Sequence, residues 1–169
     1  SAMTVQIEPI PAFEDNYIWL LQVPGRGAAV VVDPGQAEPV IARLQQDGLS
    51  LTAILITHHH GDHIGGVAAL RARWPQAEAF GPQDPRIKGL TQIVGDGDQV
   101  QPPGLEQTFA VLAVPGHTAT HIAYDGGGAL FCGDTLFAAG CGRVFDGTFE
   151  ELADSLQRIA ALPAATRCY

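Results

Sequence analysis

The 169 residues include 46% hydrophobic side chains and 20 glycines, which excludes disordered and fibrous classes and supports a folded core of about one domain. A formal net charge of −9 disfavours nonspecific nucleic-acid binding, which needs Lys and Arg to displace phosphate counterions, yet leaves room for a local basic pocket. No apolar run is long enough for a membrane span, and no basic region followed by a long apolar stretch marks a secretion signal.

In chain order, Ser1–Ala2 ahead of Met3 read as a cloning remnant outside the fold. Tyr17–Gln22 and Ala28–Val32 read as paired strands around a Pro24-Gly25-Arg26-Gly27 turn. A helix follows, with Pro39 in its first turn, Val40, Ile41 and Leu44 as its inner stripe, and Gly48 ending it. Leu51–Thr57 is a buried strand that runs directly into His58-His59-His60-Gly61-Asp62-His63. A second helix carries Val67, Leu70 and Trp74 on one face, with Pro75 past its end. Phe109–Val114, His121–Tyr124 and Ala129–Cys132 are further strands. Thr148 and Glu151 form a capping-box pattern for a last helix, with Phe149, Leu152, Leu156 and Ile159 expected on one face. Arg167–Tyr169 begins another strand at the point where the chain stops, which reads as truncation.

The chemistry sits at the strand ends. In an extended stretch, side chains two apart point the same way, so His58 and His60 can converge on one ion, whereas a helix would turn them roughly 200° apart. Asp62 and His63 lie where the chain turns into the next helix and are placed for a second ion. His117 follows the Phe109–Val114 strand, and Asp134 follows Ala129–Cys132. Three strand ends thus each deliver a metal-type donor, and an aspartate such as Asp134 can bridge two ions. Nitrogen and carboxylate donors suit zinc, iron or manganese better than calcium or magnesium. Strand alternation turns His59 away from its neighbours, toward a structural or ligand-supporting role, and His121 reads as a satisfied core histidine or one that supports a ligand. Asp33 is either a turn former or a residue that orients a ligand imidazole. Cys132, Cys141 and Cys168 lack a close Cys-x-x-Cys pair and read as reduced thiols of a cytoplasmic protein, and no serine or cysteine triad is evident.

Thr57–His63 resembles the His-x-His-x-Asp-His signature of the metallo-β-lactamase superfamily. Pro115-Gly116-His117-Thr118 and Gly133-Asp134-Thr135 resemble its next two motifs, in the right order. The resemblance covers nearly the whole chain. It implies an α/β fold, a four-layer αββα sandwich of the metallo-β-lactamase type, with residues 1–169 as one such domain. Asp15-Asn16-Tyr17, Phe131–Phe137 and Gly140–Phe145 are similar to the glyoxalase II family in particular.

That family implies hydrolysis of S-D-lactoylglutathione to D-lactate and glutathione, with a small-molecule glutathione thioester as partner and neither nucleic acid nor membrane. By carry-over, two divalent ions, zinc foremost, are expected: one on His58, His60 and His117, the other on Asp62 and His63, with Asp134 between them. Asp62 and Asp134 are the expected catalytic carboxylates. The attacking species would be a hydroxide shared by the two ions, from a water whose pKa falls to roughly 7. Arg143 and Phe145 match substrate-contact positions; without the resemblance they read as a surface arginine and a core aromatic. Thr120 stands where relatives often have glycine. A further metal-binding histidine and a helical C-terminal domain of the family are missing, so the second site is expected to be weak. Rival readings are another hydrolase of the same fold, a persulfide dioxygenase, or a truncated metal-binding core with little activity.

Overall fold

Alternation within the strands sets the layering. In the computed structural model, which describes residues 4–141 and 143–169, strand β3 (Ala28–Val32) turns Ala29 and Val31 to one side and Val30 and Val32 to the other. Ser1 and Ala2, read as a remnant, lie outside the described residues, as do Met3, Gly142 and the side chains of Ala139 and Cys141. Strand β4 (Ser50–Leu55) repeats the alternation, with Ile54 on the first side and Ala53 and Leu55 on the second. The pairing register shifts between Ala29 and Val30, where the partners pass from Leu51 to Ala53, so the two strands stay in step on each face.

The first sheet has the order β1 (Gln6–Ala12), β2 (Asn16–Gln22), β3, β4, β5 (Glu78–Gly81), β6 (Gln92–Ile93). β1, β2 and β3 pair antiparallel, β3 to β6 parallel. Parallel neighbours need crossovers. Helix α1 (Glu38–Asp47) supplies one, and α2 (Gly61–Ile64) with α3 (Val67–Arg73) another. The second sheet has the order β11 (Arg167–Cys168), β10 (Ala129–Phe131), β9 (Ile122–Gly126), β8 (Phe109–Ala113), β7 (Gln99–Val100), with α4 (Thr135–Cys141) and α5 (Phe149–Ala160) between β10 and β11.

Three apolar clusters fill three gaps. Val40 and Leu44 of α1 and Val67 and Leu70 of α3 pack on Ala29, Val31, Ile54 and Ile56. Val30, Val32, Ala53 and Leu55 meet Phe109, Val111, Ile122, Tyr124 and Phe131 between the sheets. Ala123, Leu130 and Cys132 on the far face of the second sheet meet Ile159 of α5 and Leu162. The result is the expected αββα sandwich, with each fully buried Leu or Val contributing about 1.5–3 kcal/mol.

The expected strands and helices all form. Gly48 ends α1 in the left-handed region at φ 67, and the Thr148–Glu151 capping box opens α5. One expectation needs correction. Phe149 is 66% exposed, while Leu152, Leu156 and Ile159 of the expected stripe face inward and Ser155 joins them, its hydroxyl donating to the Pro115 carbonyl at 2.6 Å.

Candidate metal centre

The histidine run leaves the end of β4 on a scaffold fixed by one buried carboxylate. Asp33, just past β3, accepts from the Thr57 amide at 2.8 Å, from the Thr57 hydroxyl at 2.6 Å and from His63 Nδ1 at 3.0 Å. The Thr57 carbonyl accepts from Ile122 N of the other sheet at 3.0 Å, so the run is held from both sheets. Gly35 lets the α2 turn come close, since a Cβ there would lie 2.0 Å from the Asp62 carbonyl. Gly133, at φ 53, does the same beside Thr57 and His121.

These bonds fix which ring nitrogens carry protons. The Thr57 hydroxyl has one proton and gives it to Asp33, so at 2.9 Å it accepts from His58 Nδ1–H. His58 Nε2 is left with a free lone pair, fully buried and without a hydrogen-bond partner. His63 donates from Nδ1 to Asp33 and turns Nε2 toward Asp134. His117 donates from Nδ1 to the Arg143 carbonyl at 3.3 Å, which directs its Nε2 lone pair to within 3.2 Å of His60 Nδ1. Several lone pairs thus face one small volume, an arrangement that requires a cation or a proton between them.

Asp134 joins the two halves. Its Oδ1 lies 3.2 Å from His63 Nε2, and its Oδ2 lies 3.3 Å from His117 Nε2 and 3.6 Å from His58 Nε2. Donor atoms of His58, His60, His117 and Asp134 fall within 4.8 Å of one another, as do those of Asp62, His63 and Asp134. A third such group, Asp33 with His58 and His63, is fully buried, and its carboxylate is already occupied by Thr57 and His63. All six residues that sequence spacing nominated are therefore brought together, with Asp134 common to both sets. The orphaned Nε2 of His58 and the mixed nitrogen–oxygen donors fit a divalent cation.

Electrostatics follow the same division. Burial, reinforced by the neighbouring His58 and His117, lowers His60 to about 4 and favours the neutral, ligating form. Burial lowers His58 as well. Burial also opposes a charge on His63, but hydrogen bonds to Asp134 and Asp33 outweigh it and push that ring up to about 10. Without a cation His63 holds a proton between two carboxylates, and a metal would have to displace it. Burial raises the Asp134 carboxyl, yet the rings of His117, His58 and His63 gathered around it hold it well below the carboxylate range.

A cavity of about 380 Å³ opens over this cluster, lined by Asp15, Asn16, His60, Asp62, His117, Asp134, Phe137, Arg143 and Phe145. Arg143 and Phe145 both reach it, so the reading of Phe145 as core does not hold. Phe145 is 60% exposed and packs edge-on against His60 and His117, at 4.7 and 5.1 Å between ring centres. His59 belongs to neither donor set; its Nδ1 faces Asp84 at 3.7 Å. His121 is buried with both nitrogens engaged: Nδ1 donates to the Ile122 carbonyl at 3.0 Å and Nε2 accepts from Asp134 N at 3.3 Å. Its ring also stacks beneath His58, 4.4 Å away. Both readings of Asp33 hold: its carboxylate orients the His63 ring, and its backbone turns the chain in the left-handed region at φ 53. Phe137 in the pocket wall was not anticipated, because α4 carries no periodic signal. Burial pushes the Cys132 thiol up to about 12, which excludes it as a nucleophile.

The model of the metallo-β-lactamase superfamily matches residues 12–169. The chain belongs to this superfamily. A relative from Xanthomonas euvesicatoria pv. vesicatoria named hydroxyacylglutathione hydrolase is 56% identical over 157 residues, covering 93% of this chain and 60% of its own length. The chain thus spans about 60% of the length of that curated relative. Among solved structures, the BLEG-1 B3 metallo-β-lactamase superposes with a TM-score of 0.84 at 26% identity, covering 96% of this chain and 90% of its own. ETHE1 from Myxococcus xanthus superposes with a TM-score of 0.80 at 31% identity, covering 99% and 74%. The fold is shared with both structures, and the donor groups of this chain suit a divalent metal. No helix among the described residues is long and apolar enough to cross a membrane.

Proposed function

We propose that this chain is the metal-binding part of a glyoxalase II-type thioesterase, which converts S-D-lactoylglutathione and water to D-lactate and glutathione. The observation that carries the reading is the pair of donor sets sharing Asp134 at the floor of a pocket with an arginine in its wall. The 56% identity to a relative named hydroxyacylglutathione hydrolase points to the same substrate.

His58, His60, His117 and Asp134 would hold one divalent ion, and Asp62, His63 and Asp134 a second, more weakly held. Zinc suits these donors best, and iron and manganese share them. When bound, the ions supply a nucleophile at neutral pH and Lewis-acid polarisation of the thioester carbonyl. The chain's own residues do the rest. Asp62, half exposed in the pocket wall, accepts a hydrogen bond from the attacking water and orients it. Arg143 offers its guanidinium to a carboxylate of the glutathione portion, while Phe137 and Phe145 pack against the stem of the substrate. The thiolate departs without an acid, because it is a good leaving group. Cys132 and Cys168 are free thiols, consistent with a cytoplasmic setting.

The test is turnover of S-D-lactoylglutathione by the zinc-loaded chain, beside a β-lactam and glutathione persulfide. Thioester hydrolysis that is lost in Asp134→Ala supports the reading; preference for either rival substrate overturns it.

A further inference from the structure

The loop after β5 carries a charged cluster that lines no part of the pocket. Asp84, whose side chain is 1% exposed, accepts at Oδ1 from Arg86 N at 3.0 Å and Nε at 2.8 Å. Its Oδ2 accepts from Arg86 Nη2 at 2.7 Å and from the Thr120 hydroxyl at 2.6 Å. The remaining arm of the guanidinium, Nη1, pairs with Oδ2 of Asp146. Asp146 Oδ1 in turn accepts from Ala119 N at 2.8 Å. One arginine therefore ties together the loops that follow β5, β8 and α4.

The last of these loops presents Arg143 and Phe145 to the pocket. Phe145 N donates to the His117 carbonyl at 3.0 Å, and His117 Nδ1 donates to the Arg143 carbonyl. Gly147 lets the segment lie flat, since a Cβ there would stand 2.3 Å from the Gly116 carbonyl. Residues 143–147 are thus held on the His117 turn by the Phe145 amide and the His117 ring on one side and by Asp146 on the other. An exposed ion pair alone is worth little, but here a guanidinium fork locked on a buried carboxylate is the anchor.

We infer that Arg86 is a positioning residue: it clamps the Arg143–Gly147 segment over the pocket and so sets recognition of the anionic part of the substrate. Lysine cannot replace it fully, because an ammonium lacks the fork that engages two carboxylates at once. The Thr120 hydroxyl adds a further bond to Asp84 that strengthens the anchor.

This inference rests on the thioesterase reading for its substrate, and the test separates the two. The zinc-loaded chain is compared with Arg86→Met, Arg86→Lys and Asp146→Asn on S-D-lactoylglutathione and on S-D-lactoyl-N-acetylcysteamine, which lacks carboxylates. In Arg86→Met and Asp146→Asn, KM for the glutathione thioester should rise about tenfold, with kcat and metal content nearly unchanged and the uncharged thioester little affected. Arg86→Lys should recover part of the loss. Hydrogen exchange of the Phe145 amide should quicken in Arg86→Met. Unchanged KM with unchanged exchange overturns the clamp, as does a parallel loss of metal and kcat on both thioesters. If the parent chain hydrolyses neither thioester, the functional reading fails, and Phe145 exchange alone decides the clamp. Should Arg86→Met not fold, Asp146→Asn serves in its place, since it keeps an acceptor for Ala119.

Discussion

The buried carboxylate of Asp33 accepts from His63 Nδ1 at 3.0 Å and thereby turns the opposite nitrogen of that ring toward Asp134. An Asp33→Asn change places an amide where Oδ2 receives two protons, and one orientation of Asn cannot serve both Thr57 and His63. The expected result is loss of metal affinity at the Asp62–His63–Asp134 set by about 10–100-fold, with overall fold retained. Zinc titration of the variant checks this, and an unchanged second binding step would contradict it.

The two donor sets differ in number, four against three. Stepwise release follows. Dialysis against a weak chelator should strip one ion early and leave the ion on the four-donor set, which metal analysis of the dialysed protein reads directly. Equal retention of two ions would show that the three-donor set is complete without further ligands.

Most of this centre was legible because its donors sit at strand ends within short apolar-to-polar transitions, where period-two alternation fixes direction. What was not legible has particular causes. β1 contains Pro9 and Pro11, which read as strand breakers, yet it is an edge strand, where a missing amide costs little. β6 and β7 are two residues each, too short for a periodic pattern. α4 lacks the polar alternation of an exposed helix. Arg86 and Asp146 are 60 positions apart, and no local pattern announces a bond between them. Phe149 fits the helical stripe of α5 in sequence, but as the first residue of the helix it stays exposed while Leu152, three positions on, is buried.

Tyr124 is fully buried between the sheets, and its hydroxyl donates to the Ile56 carbonyl at 2.7 Å, just before the histidine run. Tyr124→Phe should destabilise the chain by about 1 kcal/mol, because one net hydrogen bond is lost and little packing changes. Urea unfolding measures it. An unaltered midpoint would mean the bond does not hold these layers together.

The clamp carries a pH signature. Arg86 holds Asp84 below the usual carboxylate range, with burial opposing and Thr120 assisting; burial likewise opposes the lowering of Asp146 by Arg86. A carboxylate with a depressed folded pKa stabilises fully above its unfolded value of about 3.9 and loses that contribution as pH falls toward the folded one. The stability gap between the parent chain and Arg86→Met should therefore narrow as pH falls toward the carboxylate range, with His59, whose Nδ1 lies 3.7 Å from Asp84, adding to the narrowing as it takes up a proton. A gap that widens on acidification would reverse the assigned sign.

Anomalous diffraction at the zinc edge, from crystals grown with excess zinc, addresses the convergence of the three stretches on two cations. The expected map has one peak bounded by His58, His60, His117 and Asp134 and a second bounded by Asp62, His63 and Asp134. Zinc found away from these residues, with none beside Asp134, would contradict the assignment.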